Sequence, residues 1–151
     1  MRIDGSGAAS GEDAGFLMAS MKRLDLFAPL SDEQLRKVIY FVKTLAFESG
    51  ETIFSKGDEG GSFYIVKSGA VEAKLSGFLG FGKTLSTMGP GEFFGELALI
   101  LKRPRSATIV CLEETTCYAL DKSDLELLME RNADIAAEIK RVAKQRLENY
   151  S

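Results

Sequence analysis

The sequence predicts a mainly β fold with flanking helices, of the α+β class. It reads as an antiparallel β jelly roll or roll, preceded by N-terminal helices, interrupted by one short helical turn and closed by two C-terminal helices. Three observations predict it. Between Leu45 and Leu120, short apolar runs alternate with glycine-centred turns such as Ser49-Gly50, Lys56-Gly57-Asp58, Gly60-Gly61, Ser68-Gly69 and Gly89-Pro90-Gly91. That punctuation is typical of a sandwich or barrel. On both sides of this block, apolar residues recur at helical spacing. The chain of 151 residues is also long enough for one domain with a hydrophobic core of its own.

The elements follow in order. Residues 12–22 can form a short helix with Phe16, Leu17 and Met21 on one side, although Gly15 interrupts it. Leu24 to Leu30 is apolar and holds Pro29, which suits a tight turn. Ser31-Asp32-Glu33-Gln34 matches a capping box, and the next helix carries Leu35, Val38, Ile39 and Val42 on one face and ends near Thr44. Strand candidates are Thr52–Phe54, Ser62–Val66, Val71–Leu75, Thr84–Met88, Ser106–Cys111 and Thr116–Leu120, with a glycine- and phenylalanine-rich hairpin tip at Ser76 to Gly82. Glu96 to Leu101 has no turn residue before Pro104 and fits a single helical turn. Asp121 or Ser123 can cap a helix with Leu125, Leu127, Leu128 and Met129. Asn132 can cap a last helix with Ile135, Ile139, Val142 and Leu147 on one stripe.

Composition narrows the function classes. The formal net charge of −3 gives no global attraction to nucleic acid. The basic face of the last helix, Lys140, Arg141, Lys144 and Arg146, reads as a solvated surface near a helix C-terminus. No run of about eighteen apolar residues is present, so no segment of this chain is expected to span a membrane. Met1 to Gly15 lacks the apolar core of a signal peptide. The expected organisation is therefore a flexible segment or linker over residues 1–20 and one domain over 21–151, in the cytoplasm. The two cysteines, Cys111 and Cys117, flank a polar stretch and are expected to be reduced and buried, across a hairpin from each other. There is no histidine, so neither a Ser-His-Asp nor a Cys-His system can be built from these residues. With no paired carboxylates at a useful spacing either, the expectation is a binding module rather than an enzyme, without metal or cofactor.

One constellation carries chemistry. In Phe94-Gly95-Glu96-Leu97-Ala98-Leu99, Gly95 allows a close backbone approach or a positive φ. A helical turn starting at Glu96 would leave its first N–H groups facing an anion. Arg105 can return beside it with a bidentate fork for phosphate oxygens, and Ser106 can add a hydroxyl. Glu96 is an odd neighbour for an anion, but it makes sense as the acceptor of a sugar hydroxyl. The bland alternative is a surface turn in which Glu96 pairs with Arg103 or Arg105. A further rival is a phosphorylation site at Arg103-Pro104-Arg105-Ser106.

Phe94-Gly95-Glu96-Leu97-Ala98-Leu99 followed by Pro104-Arg105-Ser106-Ala107-Thr108 resembles the phosphate-binding cassette of the cyclic nucleotide-binding domain family. Gly50-Glu51, Lys56-Gly57-Asp58, Phe63-Tyr64-Ile65-Val66-Lys67-Ser68-Gly69 and the entry Leu26-Phe27 with Leu30–Leu35 are similar to that family's pattern as well. The resemblance covers about Leu24 to Leu147. It implies that Arg105 binds the exocyclic phosphate oxygens and that Glu96 accepts from the ribose 2′-hydroxyl. It also implies that Gly95 and the N–H groups of Leu97 and Ala98 complete the phosphate shell, and that Ser106 contacts phosphate or base. Ala73 and Ser86 would line the sugar and purine, and Arg146 would act from a lid helix that closes over the base. Ser106, where cyclic GMP binders usually have threonine, favours cyclic AMP, with cyclic GMP as the alternative. The expected partner is thus a small cyclic nucleotide, read out by an effector domain outside this chain. The compact cassette and short terminal helix resemble bacterial channel tails. A truncated catabolite activator-like sensor, or a family fold without ligand, is the alternative. Removing the chain after Asn132 is expected to spare the fold and weaken binding.

Overall fold

The computed structural model describes residues 2–3, 11–76 and 82–150. The strands form two antiparallel sheets. The first is built from β1 (Arg2–Ile3), β2 (Lys43–Phe47), β4 (Ser62–Ser68), β7 (Phe93–Phe94) and β9 (Thr115–Asp121), in the order β1-β2-β9-β4-β7. The second holds β3 (Thr52–Phe54), β5 (Val71–Ser76), β6 (Gly82–Met88) and β8 (Thr108–Cys111), in the order β3-β8-β5-β6. Four helices flank them: α1 (Gly11–Met21), α2 (Asp32–Ile39), α3 (Lys122–Arg131) and α4 (Ala133–Tyr150). This is the α+β roll that the sequence predicts.

The pleat sorts side chains into two cores, because successive residues of a strand face opposite sides. Phe63 and Ile65 of β4, with Tyr118 and Leu120 of β9, face the helices and join Leu17, Met21, Leu35, Val38, Leu125, Leu128, Ile135 and Ile139. Val66, Cys117 and Ala119 face the other way, into a core shared with Val71, Ala73, Ile109 and Cys111 of the second sheet. The middle of the first sheet is therefore covered on both faces, which explains why Cys117 to Leu120 are all buried.

Several local expectations change. Within the stretch expected to be a flexible segment, residues 1–20, the described residues are structured: Arg2–Ile3 pairs with β2, and α1 over Gly11–Met21 places Leu17 and Met21 in the core. Phe16 lies on the α1 flank, 37% exposed, in a tilted ring contact with Tyr118. The Ser31 capping box forms: Ser31 Oγ accepts from Gln34 N at 3.1 Å and Gln34 Oε1 from Ser31 N at 2.9 Å. The α2 helix stops at Ile39 rather than near Thr44. Phe41 and Val42 donate to carbonyls three residues back, and Lys43–Phe47 then pairs with β9. The competing partner here is a neighbouring strand that a local periodicity cannot reveal. β8 starts at Thr108 rather than Ser106. The proposed hairpin tip falls on 77–81, outside the described residues.

At the C-terminal end, Asp121 is the N-cap of α3, but its carboxylate is turned to Ser62 and Lys43. Asn132 donates to Leu128 O at 2.9 Å, so its side chain closes α3 instead of opening α4. Leu127 and Leu147 are each 37% exposed and stand outside the buried stripes. Both cysteines are buried and free. They lie on strands of different sheets that are not paired with each other, so they share the core between the sheets and not a hairpin.

Candidate functional site

Arg105 is fixed from its backbone outward. Its N–H donates to Asp58 O at 2.7 Å and its carbonyl accepts from Gly57 N at 2.9 Å. Pro104 bridges Glu59. The seat is braced in turn, since Asp58 Oδ2 accepts from Ser55 N at 2.9 Å and Thr108 Oγ1 from Lys56 N at 2.9 Å. The Lys56-Gly57-Asp58 turn thus holds the arginine in place.

The Arg105 side chain turns inward and the residue is 9% exposed. Nη2 donates to Ser62 O at 2.7 Å, and Nη1 reaches Gly95 O at 3.5 Å. The guanidinium centre lies 4.0 Å from the Phe54 ring centroid, a cation–π contact. Nε is buried and has no hydrogen-bond partner, and no salt bridge to Arg105 occurs among the described residues. Burial pushes the guanidinium pKa down, while Tyr64 and Asp58 pull it back up. It remains a cation, because an arginine starts far above neutrality. A buried charge held by carbonyl dipoles and a ring, with a donor unused, is under-compensated. An anion would complete it.

Gly95 makes this arrangement possible. Its φ is +77°, and a Cβ there would stand 2.7 Å from Arg105 Nη1 and 3.2 Å from Ser62 O. The expected helical turn follows as a 3-10 turn over Glu96–Leu99. Its first internal bond runs from Ala98 N to Gly95 O at 3.1 Å. The Ala98 N–H, expected in the phosphate shell, is therefore engaged inside the turn, because a 3-10 turn closes one residue earlier than an α-helix. The N–H groups of Glu96 and Leu97 precede that bond.

A cavity of about 330 Å³ opens beside the turn. Gly95, Glu96, Ala98, Arg105 and Ser106 line one side. Ala73 and Ser86, paired across β5 and β6, line another. Ser106 sits in an exposed bend before β8. Glu96 accepts from Arg146 Nη2 at 3.1 Å, so Arg103 and Arg105, the partners that proximity in sequence suggests for it, give way to a residue fifty positions on. Arg146 reaches the cavity through Glu96. Phe54 and the Ser62 carbonyl do not stand out in the sequence. A phenylalanine in a strand gives no sign of a cation above it, and a carbonyl is common to every residue. Among the described residues, no cluster of histidine, cysteine, aspartate or glutamate could hold a metal, and no helix is long and apolar enough to cross a membrane.

Comparison with known proteins gives the same answer at the level of sequence and of fold. Residues 44–132 match the family model described as the cyclic nucleotide-binding domain. A cAMP-dependent protein kinase regulatory subunit of Yarrowia lipolytica is 39% identical over 78% of this chain and 32% of its own length. A putative potassium channel protein of Rhodopseudomonas palustris is 31% identical over 82% of this chain and 30% of its own length. The chain therefore spans about a third of these curated relatives. The N-terminal domain of a transcriptional regulator from Streptomyces coelicolor superposes with a TM-score of 0.78 at 31% identity, covering 87% of this chain and 92% of that one. With its cassette, its two-sheet roll and the matched span in agreement, the chain belongs to the cyclic nucleotide-binding domain family.

Proposed function

We propose that this chain is a sensor for a cyclic nucleotide, with cyclic AMP the preferred ligand. The observation that carries the proposal is Arg105, a buried guanidinium beside the cavity with its Nε unpartnered. In this reading Arg105 binds the exocyclic phosphate oxygens, Gly95 gives the phosphate room, and the N–H groups that open the Glu96–Leu99 turn, Leu97 among them, complete its shell. Ala98 packs against the sugar. Glu96 accepts from the ribose 2′-hydroxyl. Ala73 and Ser86 line the purine, and Ser106 contacts phosphate or base. A cavity of about 330 Å³ is within the range of small-ligand sites, about 300–1,000 Å³. The ligand shifts α4, and an effector outside these residues reads that shift.

Two effectors are favoured by specific relatives. The similarity to a putative potassium channel protein supports a channel tail. The 39% identity to a kinase regulatory subunit supports a subunit that restrains a kinase. The full-length protein in liposomes separates them: cyclic AMP-dependent potassium flux supports the channel, and its absence the kinase partner.

Titration calorimetry with cyclic AMP and cyclic GMP tests the ligand. Heat of binding with tighter binding of cyclic AMP is expected. No heat with either nucleotide at high protein concentration sinks the proposal, and tighter cyclic GMP binding reverses the base assignment.

A further inference from the structure

A buried guanidinium is ordinarily met by a carboxylate; Arg105 is met by a ring. Its guanidinium centre lies 4.0 Å from the Phe54 ring centroid, and no salt bridge to Arg105 occurs among the described residues. The difference is chemical. A carboxylate would cancel the charge and occupy the fork that an anion needs. The π face of a phenylalanine offsets part of the desolvation cost and takes no N–H donor. Nη2 and Nη1 meet the carbonyls of Ser62 and Gly95, and Nε is left without a partner. The ring is itself set in place. Thr52 pairs with Val110 and Phe54 with Ile109, so β3 carries a bulge at Ile53, a device that re-aims side chains beside a site. Phe54 then lies against Tyr64 and Phe94, each 5.9 Å away, and those two rings stack at 5.1 Å and 15°. Tyr64 and Phe94 pair across β4 and β7, so β3, β4 and β7 together fix the ring. The turn that starts at Ser55, the next residue, holds the Arg105 backbone.

We propose that Phe54 is a positioning residue for the anion: its π face keeps the Arg105 cation in the wall of the empty cavity without consuming the donors that a phosphate needs. This rests on Arg105 being the phosphate partner. In the empty cavity a cation short of partners is drawn towards water. The ring tips that balance inward, so a nucleotide finds the cation already in place. Without the ring's attraction, binding must first draw the guanidinium back. The apparent affinity then falls with the fraction of molecules that hold it in position.

The test replaces Phe54 in the full chain by mono-, di- and trifluorinated phenylalanine, which keep the shape of the ring while draining its π face. Phe54→Leu removes the ring altogether. Calorimetry with cyclic AMP reads affinity, and thermal melting checks that each variant is folded. Proton–nitrogen NMR of the nucleotide-free chain reads the Arg105 Nε–H, assigned by its loss in Arg105→Lys. Affinity is expected to fall step by step with added fluorine, by roughly three- to thirtyfold over the series. Exchange of the Nε–H with water is expected to quicken in the same order. Phe54→Leu loses as much or more. Affinity that stays flat across the series, with the Nε–H equally protected, overturns the inference and leaves Phe54 a packing residue. Tighter binding with added fluorine also overturns it, because the ring would then compete with the phosphate for the charge. If the wild-type chain binds no cyclic AMP or cyclic GMP, the sensor reading falls and takes this inference with it. A wild type that binds, with a fluorinated series that does not weaken, removes this inference alone.

Discussion

At Arg105 one side chain has two tasks, and a substitution separates them. Its hydrogen bonds to Ser62 O and Gly95 O knit β4 to the cassette turn, while its uncompensated charge is the proposed seat of the phosphate. Arg105→Ala is expected to weaken cyclic AMP binding by roughly 2–4 kcal/mol, about thirty- to several-hundred-fold, through loss of the charge partner. Calorimetry checks it, and a change under about threefold would put the phosphate elsewhere. Gly95→Ala is the second residue-scale prediction. The new methyl group meets Arg105 Nη1 at 2.7 Å, and the backbone is held at φ +77°. Such a conformation costs an L-residue on the order of 1–3 kcal/mol. The variant is therefore expected to lose both thermal stability and affinity, as read by melting and titration of one sample. Unchanged affinity would mean that the guanidinium has room to step aside. At this scale the sequence is most informative, since Gly95, Glu96 and Arg105 announce themselves by type and spacing. Their supports are silent in the sequence. The Ser62 carbonyl is backbone, and the Arg146 partnership with Glu96 spans fifty residues and depends on how α4 packs.

At the scale of elements, the first sheet is pinned where β2, β4 and β9 meet. Burial pushes the Asp121 carboxyl up, but hydrogen bonds from Lys43 and Ser62 and the charge of Lys43 outweigh it and hold the pKa below the ordinary value. The same bond to Asp121 raises Lys43. A carboxyl whose folded pKa is depressed adds stability above its unfolded pKa, and that stability is lost as pH falls through the folded value. The melting temperature should thus hold steady near neutrality and drop below about pH 4. Asp121→Asn should flatten part of that acid limb, as read by melting scans across pH. An unchanged acid limb would exclude Asp121 as its source. Element identities are legible wherever a strand is bounded by glycine turns, as in β3, β4 and β5, or a helix opens on a capping box, as in α2. They are not legible at β1 and β2, where pairing with a distant strand decides the conformation. Nor are they at Asn132, which closes the preceding helix instead of opening the next.

For the whole molecule, α4 is part of the foundation as well as the helix proposed to respond to ligand. Ile135, Ile139 and Val142 are buried in the core that also holds α1, α2 and α3, and Ala136 is buried beside them in sequence. The expectation that a cut after Asn132 spares the fold is overturned by this burial. The cut removes several fully buried side chains worth about 1.5–3 kcal/mol each, against a total stability of about 5–15 kcal/mol. The truncated chain should melt far lower or not fold. A cut after Lys144 keeps those residues and removes Arg146. It should leave the melting temperature within a few degrees and weaken cyclic AMP binding, as melting and calorimetry of the two truncations will show. Helical spacing reveals the stripe of α4, but not how far along the helix its burial extends.

The double use of Gln34 sets the geometry of that division. Its Oε1 closes the capping box of α2, while its Nε2 donates to Asp134 Oδ2 at 2.8 Å, and Lys37 reaches Asn132 Oδ1 at 3.2 Å. The first turn of α4 is therefore stapled to α2. Burial of its apolar stripe carries the anchorage on to Val142. The stretch after Val142, about two turns or some 12 Å of helix, lies beyond that buried stripe and carries Arg146 near its middle. If the ligand moves α4 as proposed, the moving part is a short lever with its fulcrum at the core. An effector that reads such a movement would have to sit within reach of that tip, or be joined directly to its end.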